Sequence, residues 1–207
     1  KVLAISPSDN QYLNKKYHNS VLVPAFHAQD SVSSSKGTGK FILYHGNLGV
    51  GENNFAALYL VNDVFSKLDI PCVIAGSNPS DELKKALVKF PHIKLVDNWN
   101  NEQIMDAVAK AQMNVLPTFQ GTGIKLKLLN ALYAGRYCLV NQLMVKNTTL
   151  EDACIISENA EGMVHDIQKY WKIPFAEAEI EARKNILDKS LFSNVKNAEL
   201  IVEMLGY

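Results

Sequence analysis

Residues 113–141 read MNVLPTFQGTGIKLKLLNALYAGRYCLVN. The stretch begins with a short apolar run at 113–117, passes through a loop of small residues, and continues as an apolar helix pattern at 125–134. A second apolar run follows at 137–141. Two short apolar runs on either side of one helix are typical of a β-α-β unit, in which the helix joins two parallel strands. Gly135 follows the helix pattern, and we expect it to form a left-handed C-terminal cap.

The same alternation of short strands and single helices continues along nearly the whole chain. The predicted strands are 1–6, 21–26, 41–46, 71–76, 93–97, 113–117, 137–141 and 154–157. The predicted helices are 7–18, 53–67, 81–90, 101–111, 125–134, 174–189 and 194–205. Apolar strands separated by single helices indicate a mostly parallel sheet that is covered on both sides. We therefore predict an α/β fold with a doubly wound, Rossmann-like sheet and helices on both faces.

Two helices carry more specific expectations. Ser6 is a favourable N-cap, and Pro7 suits the first helical position, so a helix should begin there. Helix 53–67 should bury an apolar stripe at helical spacing. Its members are Phe55, Leu58, Val61, Val64, Phe65 and Leu68.

The strand ends predict where a ligand would bind. In doubly wound sheets, ligands lie beside the carboxyl ends of the strands, near the switch in strand order. The loops after residues 45, 76, 97 and 117 should therefore share one crevice.

Charge and cysteine content limit the classes of protein to which the chain can belong. The chain has 21 basic and 21 acidic residues and a formal net charge of zero, which argues against nucleic acid as a partner. Its three cysteines stand inside apolar runs, as buried strand cysteines of a reducing compartment do. The first residues form a strand pattern without a signal peptide, so we expect a cytoplasmic protein.

Three ligand motifs fail. The third glycine of the dinucleotide-binding fingerprint is replaced by Asn54 after 49–51 and by Leu126 after 121–123. The P-loop pattern fails because Ser34 occupies its first glycine position. The histidines are too scattered for a metal site: His18, His27, His45, His92 and His165.

The loop and helix start at 121–127 predict an anion site. Gly121 and Gly123 let a ligand approach the backbone closely. The amides of residues 123–125 would point out of a helix N-terminus, where a diphosphate is favoured. Lys125 and Lys127 oppose the helix dipole unless an anion is bound, which favours a binding role over an ordinary solvated face.

The same stretch resembles the signature of the retaining glycosyltransferases with the GT-B fold, the large "group 1" family. That signature is a proline, Gly-x-Gly-x-(Lys/Arg)-x-Lys-x-x-Glu-Ala-x-x-x-Gly and a strand; residues 121–135 here read GTGIKLKLLNALYAG. The flanking segments also resemble those of the family, in the same order. Residues 41–47 resemble a strand with a glycine loop, residues 71–76 a strand that ends beside the nucleotide, and residues 96–99 a loop that borders the base. The end of the chain, 183–205, resembles the family's closing helices.

The resemblance implies a division of the chain. Residues 1–26 would be the tail of an N-terminal domain and the crossover from it. Residues 27–40, rich in serine and glycine, are a linker or mobile loop. Residues 41–207 would be the nucleotide-sugar-binding domain, one half of a GT-B fold. Apart from this tail, the acceptor-binding N-terminal domain would be missing, so we expect this chain alone to be inactive.

The resemblance also implies an activity and a set of binding residues. The full-length protein would transfer a sugar from a nucleoside-diphosphate sugar to a glycan or lipid-linked acceptor in polysaccharide biosynthesis, without a cofactor or metal. The missing domain would supply any peripheral membrane contact. No catalytic residue is assigned. The expected nucleotide-sugar-binding residues are Gly46, Asn47, Asn98, Trp99, Gln120, Gly121, Thr122, Gly123, Ile124, Lys125, Lys127 and Asn130.

Departures from the signature leave two other functions open. Asn130 stands where the family has Glu, Gln120 where related proteins carry another acid, and the loop 46–51 lacks a common Arg or Lys. These changes are compatible with a degenerate, non-catalytic nucleotide-binding or interaction domain. A sugar-nucleotide epimerase half would need acid and base groups, and the predicted crevice offers Asp97 and His45.

The sequence allows two interpretations for each of two ring-bearing side chains near the predicted crevice. His45 either contacts a phosphate or is a hydrogen-bonded structural histidine. Trp99 either borders a base or caps the core at a strand end.

Overall fold

The computed structural model describes residues 1–121 and 126–206, and its centre is a parallel β-sheet. The strands are β1 (Val2–Ala4), β2 (Ser20–Leu22), β3 (Ile42–His45), β4 (Cys72–Ala75), β5 (Ile93–Val96), β6 (Met113–Val115), β7 (Tyr137–Val140) and β8 (Ile155–Ile156). Strands β3 to β8 form one sheet in the order β5-β4-β3-β6-β7-β8, and every pairing in it is parallel. Strands β1 and β2 form a separate parallel pair.

The helices follow the strands, mostly one to a connection. They are α1 (Pro7–Tyr17), α2 (Gly51–Tyr59), α3 (Asp81–Leu87), α4 (Asn101–Lys110), α5 (Leu126–Ala134), α6 (Gln142–Val145), α7 (Ala160–Tyr170), α8 (Glu177–Lys189) and α9 (Asn194–Leu205). Ser6 caps α1 by accepting a hydrogen bond from the Asp9 amide, and Pro7 opens the helix as predicted.

The larger sheet is covered on both faces, which confirms the predicted doubly wound fold. Along β3, Ile42 and Tyr44 pack into the larger apolar cluster with α2 and α3, whereas Leu43 points to the other side. There it meets Ala107 and Val108 of α4. Because both faces are buried, these strands have no polar alternation, and all four residues of β3, β4 and β7 lie in the interior.

The strand order reverses between β3 and β6. The chain runs outward from β3 through β4 to β5, and then returns to place β6 on the other side of β3. Such a reversal leaves a gap between the loops that leave the two central strands, and this gap is where α/β sheets bind ligands.

The buried face of the helix at 53–67 differs from the predicted stripe. Helix α2 widens into a π turn at Leu60–Val64 and closes with a 3-10 turn at Phe65–Lys67. The buried positions in α2 are Ala56 and Ala57, and Phe55 is 55% exposed. The predicted burial of Phe55 was wrong. The small side chains of Ala56 and Ala57 form the face of α2 that packs against the core, and alanines contribute little to a hydrophobic pattern.

The prediction that Gly135 adopts a left-handed conformation is also wrong. Within the described residues, Gly37 and Gly206 are the glycines with positive φ. Gly135 is needed for space instead: a Cβ there would lie 2.4 Å from Asn114 Nδ2 and 2.7 Å from the Ala131 carbonyl oxygen. The requirement comes from the packing of α5 on β6.

Residues 27–40, predicted as a linker or mobile loop, contain no helix or strand, but they make hydrogen bonds to the domain. The Ser33 amide donates to the Tyr133 carbonyl, 2.7 Å away, and Gly39 donates to Gln112 Oε1 at 2.6 Å. Gly37 and Phe175 exchange two backbone hydrogen bonds of 2.9 Å. The bridge at Phe175 also explains why α8 begins at Glu177 rather than at the predicted Pro174.

Candidate functional site

A crevice of about 290 Å³ lies at the carboxyl ends of β3 and β4. It is lined by His45, Gly46, Asn47, Gly76, Ser77, Trp99, Asn101, Ile104, Lys127 and Asn130. The loops after residues 45, 76 and 97 therefore meet, as the strand ends predicted. The loop after residue 117 contributes no described residue to this lining.

Close backbone contact forms one wall of the crevice. A Cβ on Gly76 would lie 1.8 Å from the Gly46 carbonyl oxygen, so only glycine allows the two loops to approach this closely. The Asn47 side-chain oxygen accepts from the Gly49 amide at 3.1 Å and from the Ser77 hydroxyl at 3.4 Å. The loop after β3 is thus held in one arrangement by the loop after β4.

Lys127 brings a positive charge to the crevice from the first turn of α5. Its Nζ donates to Asn53 Oδ1 at 2.9 Å and lies 5.6 Å from the centre of the Tyr44 ring. Asn53 in turn donates from Nδ2 to the Asn47 carbonyl at 3.0 Å, and the Tyr44 hydroxyl donates to the Asn53 carbonyl at 2.9 Å. The ammonium group is therefore positioned by α2 and by the loop after β3.

His45 sits at the base of the crevice and is 5% exposed. Its Nε2 atom is buried and has no hydrogen-bond partner among the described residues. Burial, with a further contribution from the charge of Lys127, lowers the pKa of His45 from 6.5 to about 4. The ring is thus neutral at physiological pH. Because Nε2 has no partner among the described residues, the interpretation of His45 as a hydrogen-bonded structural histidine is not supported at this atom.

The buried imidazole should make stability depend on pH. Between pH 4 and 6.5 the unfolded chain binds a proton at His45 that the folded chain does not, so the free energy of unfolding rises with pH across this window. Lowering the pH from about 7 to about 4.5 should cost about 2 kcal/mol at this residue. Urea unfolding at a series of pH values should show this loss in the wild type and not in His45→Gln.

The matched control for this test is His165→Gln, because His165 is exposed on α7. That variant should keep the wild-type pH profile. If His45→Gln also keeps it, the neutral buried ring is not a feature of the folded protein.

The loop after β6 is fixed to its neighbours on both sides. The Thr118 amide donates to Asn141 Oδ1 at 3.1 Å, and Asn141 Nδ2 donates back to the Thr118 carbonyl at 2.7 Å. The Thr118 hydroxyl makes a short hydrogen bond to a carboxylate oxygen of Glu52, in the first turn of α2. The loop after β6 is therefore joined directly to α2, the helix that follows β3.

The structure gathers five of the predicted binding residues around the crevice: Gly46, Asn47, Trp99, Lys127 and Asn130. Lys127 and Asn130 are three positions apart on α5, so they share a face of the helix.

The remaining predicted residues lie elsewhere. Asn98 is exposed with a φ of 61°, and Gln120 and Gly121 are exposed in the loop after β6; none of the three lines the crevice. Four predicted residues fall outside the described parts of the chain, namely Thr122, Gly123, Ile124 and Lys125. Their binding roles remain predictions.

Sequence reasoning missed several residues of the crevice. Asn101 and Ile104 reach it from the first turn of α4, and Ser77 from the loop after β4. A search of the first helical turn after each strand would have found the first two, because that turn stands at the same edge of the sheet as the strand end. Nothing in the sequence pointed to Asn53, whose role depends on a contact with another helix.

Metal clusters and membrane-spanning helices are both absent from the part of the chain that the structure describes. Residues 1–121 and 126–206 hold no cluster of three or more His, Cys, Asp or Glu side chains that is arranged to hold a metal ion. None of the helices seen in those residues has the length and apolar character needed to cross a membrane.

The fold is similar to that of several solved glycosyltransferases. It matches a TarM variant from S. aureus in complex with fondaparinux, α-GlcNAc-glycerol and UDP, with a TM-score of 0.71, 14% identity, and coverage of 100% of this chain and 44% of that one. It matches a glycosyltransferase from Rickettsia africae with a TM-score of 0.70, 15% identity, and coverage of 100% and 64%.

A third match is the pneumococcal O-GlcNAc transferase GtfA in complex with UDP and GlcNAc, with a TM-score of 0.68, 15% identity, and coverage of 99% and 45%. This chain thus spans about half to two thirds of the length of these proteins. At such low identity the likeness concerns the fold alone. No curated protein matches the chain significantly.

The sequence carries the family assignment. The profile of the family described as "Glycosyl transferases group 1" matches residues 39–172, from the segment before β3 to the residues after α7. This match includes every residue that lines the crevice. Because it spans more than half of the chain, the chain belongs to the group 1 glycosyl transferases.

Proposed function

We propose that this chain is the donor-binding half of a glycosyltransferase that moves a sugar from a nucleoside-diphosphate sugar to a glycan or lipid-linked acceptor. The observation that carries the proposal is the crevice at the switch in strand order, where Lys127 and Asn130 face the glycine loop after β3. A positive charge beside closely approaching backbone suits a diphosphate.

In the proposed reaction, the bond between the anomeric carbon and the diphosphate oxygen breaks as the acceptor hydroxyl oxygen bonds to the same carbon. The hydroxyl proton passes to a base, and the diphosphate leaves with added negative charge. Lys127 stabilises this leaving group electrostatically, and this effect grows as charge develops in the transition state. Asn53 holds the ammonium group in place beforehand, so little reorganisation is needed.

The other crevice residues suit the nucleotide. Trp99 is half-buried against α4 and lines the crevice, where a base would lie beside it. Asn130 offers an amide to a ribose hydroxyl. His45 Nε2 is neutral and unpartnered among the described residues, so it can hydrogen-bond to the ribose or phosphate.

Several features of the whole protein belong to this proposal. An acceptor-binding half would precede residues 27–40 and would supply the base and any peripheral membrane contact. The whole enzyme would act in the cytoplasm, in polysaccharide biosynthesis, with retention of configuration and without a metal or cofactor. Support comes from the resemblance of residues 121–135 to the family signature and from the greater length of the similar solved proteins.

A second candidate is a degenerate module that has kept the fold and lost the activity. It is favoured by the amide of Asn130 at the family's Glu position and by Asn47 in a loop that lacks the common cation. An epimerase half is less well supported, because Asp97 is exposed and is absent from the crevice lining.

Calorimetric titration of the chain with UDP, GDP and ADP tests the proposal. UDP is the first choice, since structures of both TarM and GtfA contain it. One nucleotide should bind with a Kd on the order of micromolar, and the matching nucleoside without phosphates should bind far more weakly. A cooperatively folded chain that binds none of the three would contradict the proposal and favour the degenerate module.

A further inference from the structure

Three aromatic rings form an exposed group on the outer side of α2. The Phe119 ring makes edge-on contacts with Phe55, at 4.8 Å between ring centres, and with Tyr59, at 5.2 Å. Phe55 is 55% exposed and Phe119 is 42% exposed. We call these three residues the aromatic cluster. Tyr59 is half-buried against the core and supports the two more exposed rings. Exposed rings that contact one another mark a surface suited to a ligand.

The aromatic cluster is held firmly. Phe119 follows Thr118, whose backbone is hydrogen-bonded at both its amide and its carbonyl to Asn141. The Thr118 hydroxyl is bonded to Glu52 in the same turn of α2 that carries Phe55. Because both supporting segments are fixed to each other, the rings present a surface that is already organised for binding.

A groove of about 440 Å³ lies beside the aromatic cluster, between α2 and α3. Phe55 and Tyr59 form its apolar side, and the polar lining includes Asn54, Asp63 and Glu82. The Asn54 side-chain oxygen is buried and has no hydrogen-bond partner among the described residues. A buried acceptor of this kind is satisfied when a ligand brings a hydroxyl or amide donor.

The first turn of α2 links the groove to the donor crevice. Asn53 Oδ1 accepts a hydrogen bond from Lys127, which lines the crevice. The next two residues, Asn54 and Phe55, line the groove on the other side. A chain of sugars extending from the crevice would therefore meet the groove after crossing a single helical turn.

We propose that the aromatic cluster and the adjoining groove form a subsite for a neutral oligosaccharide. The C–H face of a pyranose ring packs on an aromatic ring, and its hydroxyl groups point sideways to amide and carboxylate oxygens. The groove offers both kinds of surface, and the carboxylates of Asp63 and Glu82 disfavour an anionic glycan. The choice of a carbohydrate over another occupant rests on the proposed glycosyltransferase function.

The test uses three neutral tetrasaccharides, maltotetraose, cellotetraose and chitotetraose, at millimolar concentration. Backbone amide NMR signals of the isotope-labelled chain are recorded during each titration. At least one sugar should shift the signals of the aromatic cluster and of α2. Phe119→Ala should raise its Kd about fivefold, whereas Phe119→Tyr, which keeps a ring, should stay close to the wild type.

Tyr12→Ala is the matched control, because Tyr12 is an exposed aromatic residue on α1. It should leave sugar binding unchanged. Three results would overturn the subsite: no shift with any of the three sugars, a Kd that is the same in Phe119→Ala as in the wild type, or self-association of the chain that Phe119→Ala abolishes. The last result would assign the aromatic cluster to a second copy of the chain.

Titration of the same samples with UDP separates this proposal from the one on which it rests. UDP affinity should be unchanged in Phe119→Ala. Sugar binding without UDP binding in the wild type would contradict the donor-binding proposal and leave the subsite standing. UDP binding without sugar binding in the wild type would contradict the subsite and leave the donor-binding proposal standing.

Discussion

Replacing Lys127 with alanine should weaken binding of the nucleoside diphosphate by about 30- to 150-fold, since a charge-assisted hydrogen bond contributes about 2–3 kcal/mol. Lys127 is the cationic residue of the described crevice lining, and its ammonium group is already oriented by Asn53. The substitution also removes a cation from the first turn of α5, where it opposes the helix dipole, so the folded protein should not lose stability from the change in charge. Isothermal titration calorimetry measures the affinity.

Two variants control this experiment. Lys85→Ala removes an exposed lysine from α3, away from the crevice, and should bind the nucleotide as the wild type does. Lys127→Arg keeps the charge but not the compact ammonium group beside Asn53, so its affinity should fall between those of the wild type and Lys127→Ala. Equal affinities for Lys127→Ala and Lys85→Ala would show that Lys127 is not part of the site.

Arg183→Met should lower the free energy of unfolding by about 3–5 kcal/mol, because it removes the buried guanidinium that donates to several backbone carbonyl groups. Arg183 is 5% exposed, and its Nη1 donates to the carbonyls of Gly135 at 2.6 Å and Leu132 at 3.3 Å. Its Nη2 donates to the Arg136 carbonyl, and its guanidinium carbon lies 4.6 Å from the centre of the Phe175 ring. One side chain on α8 thus satisfies the carbonyls around the end of α5.

Methionine keeps most of the apolar volume, so the expected loss reflects the hydrogen bonds rather than a cavity. Urea unfolding followed by circular dichroism gives the free energy. Lys184→Met changes the neighbouring, partly exposed residue, which makes one surface ion pair with Glu181, and it should stay within about 0.5 kcal/mol of the wild type. An equally small effect of Arg183→Met would contradict the assigned role.

The sheet could be predicted because its signal is local. Residues 42–45 and 72–75 are short apolar runs between helices, and burial on both faces of a parallel sheet requires that pattern. The errors came from contacts between distant segments. Gly135 is required by the proximity of Asn114, and Phe55 is exposed because Ala56 and Ala57 form the buried face of α2. Neither packing arrangement can be inferred from the spacing of residues along the chain.

The crevice was predictable to the extent that the topology defines it. Gly46, Trp99 and Lys127 stand at strand ends or at a helix start, so the fold alone brings them together. The hydrogen bond between Asn53 and Lys127 and the burial of His45 depend on how α2 packs beside the loops. Such details follow from side-chain packing in three dimensions, which the sequence pattern does not reveal.

A crystal structure of the chain grown with UDP would show directly where the nucleotide binds. The diphosphate should lie in the crevice at the ends of β3 and β4, within hydrogen-bond distance of Lys127 Nζ, with the base beside Trp99. UDP bound at another surface, for example in the cavity of about 220 Å³ beside Cys154 and Arg183, would contradict this placement.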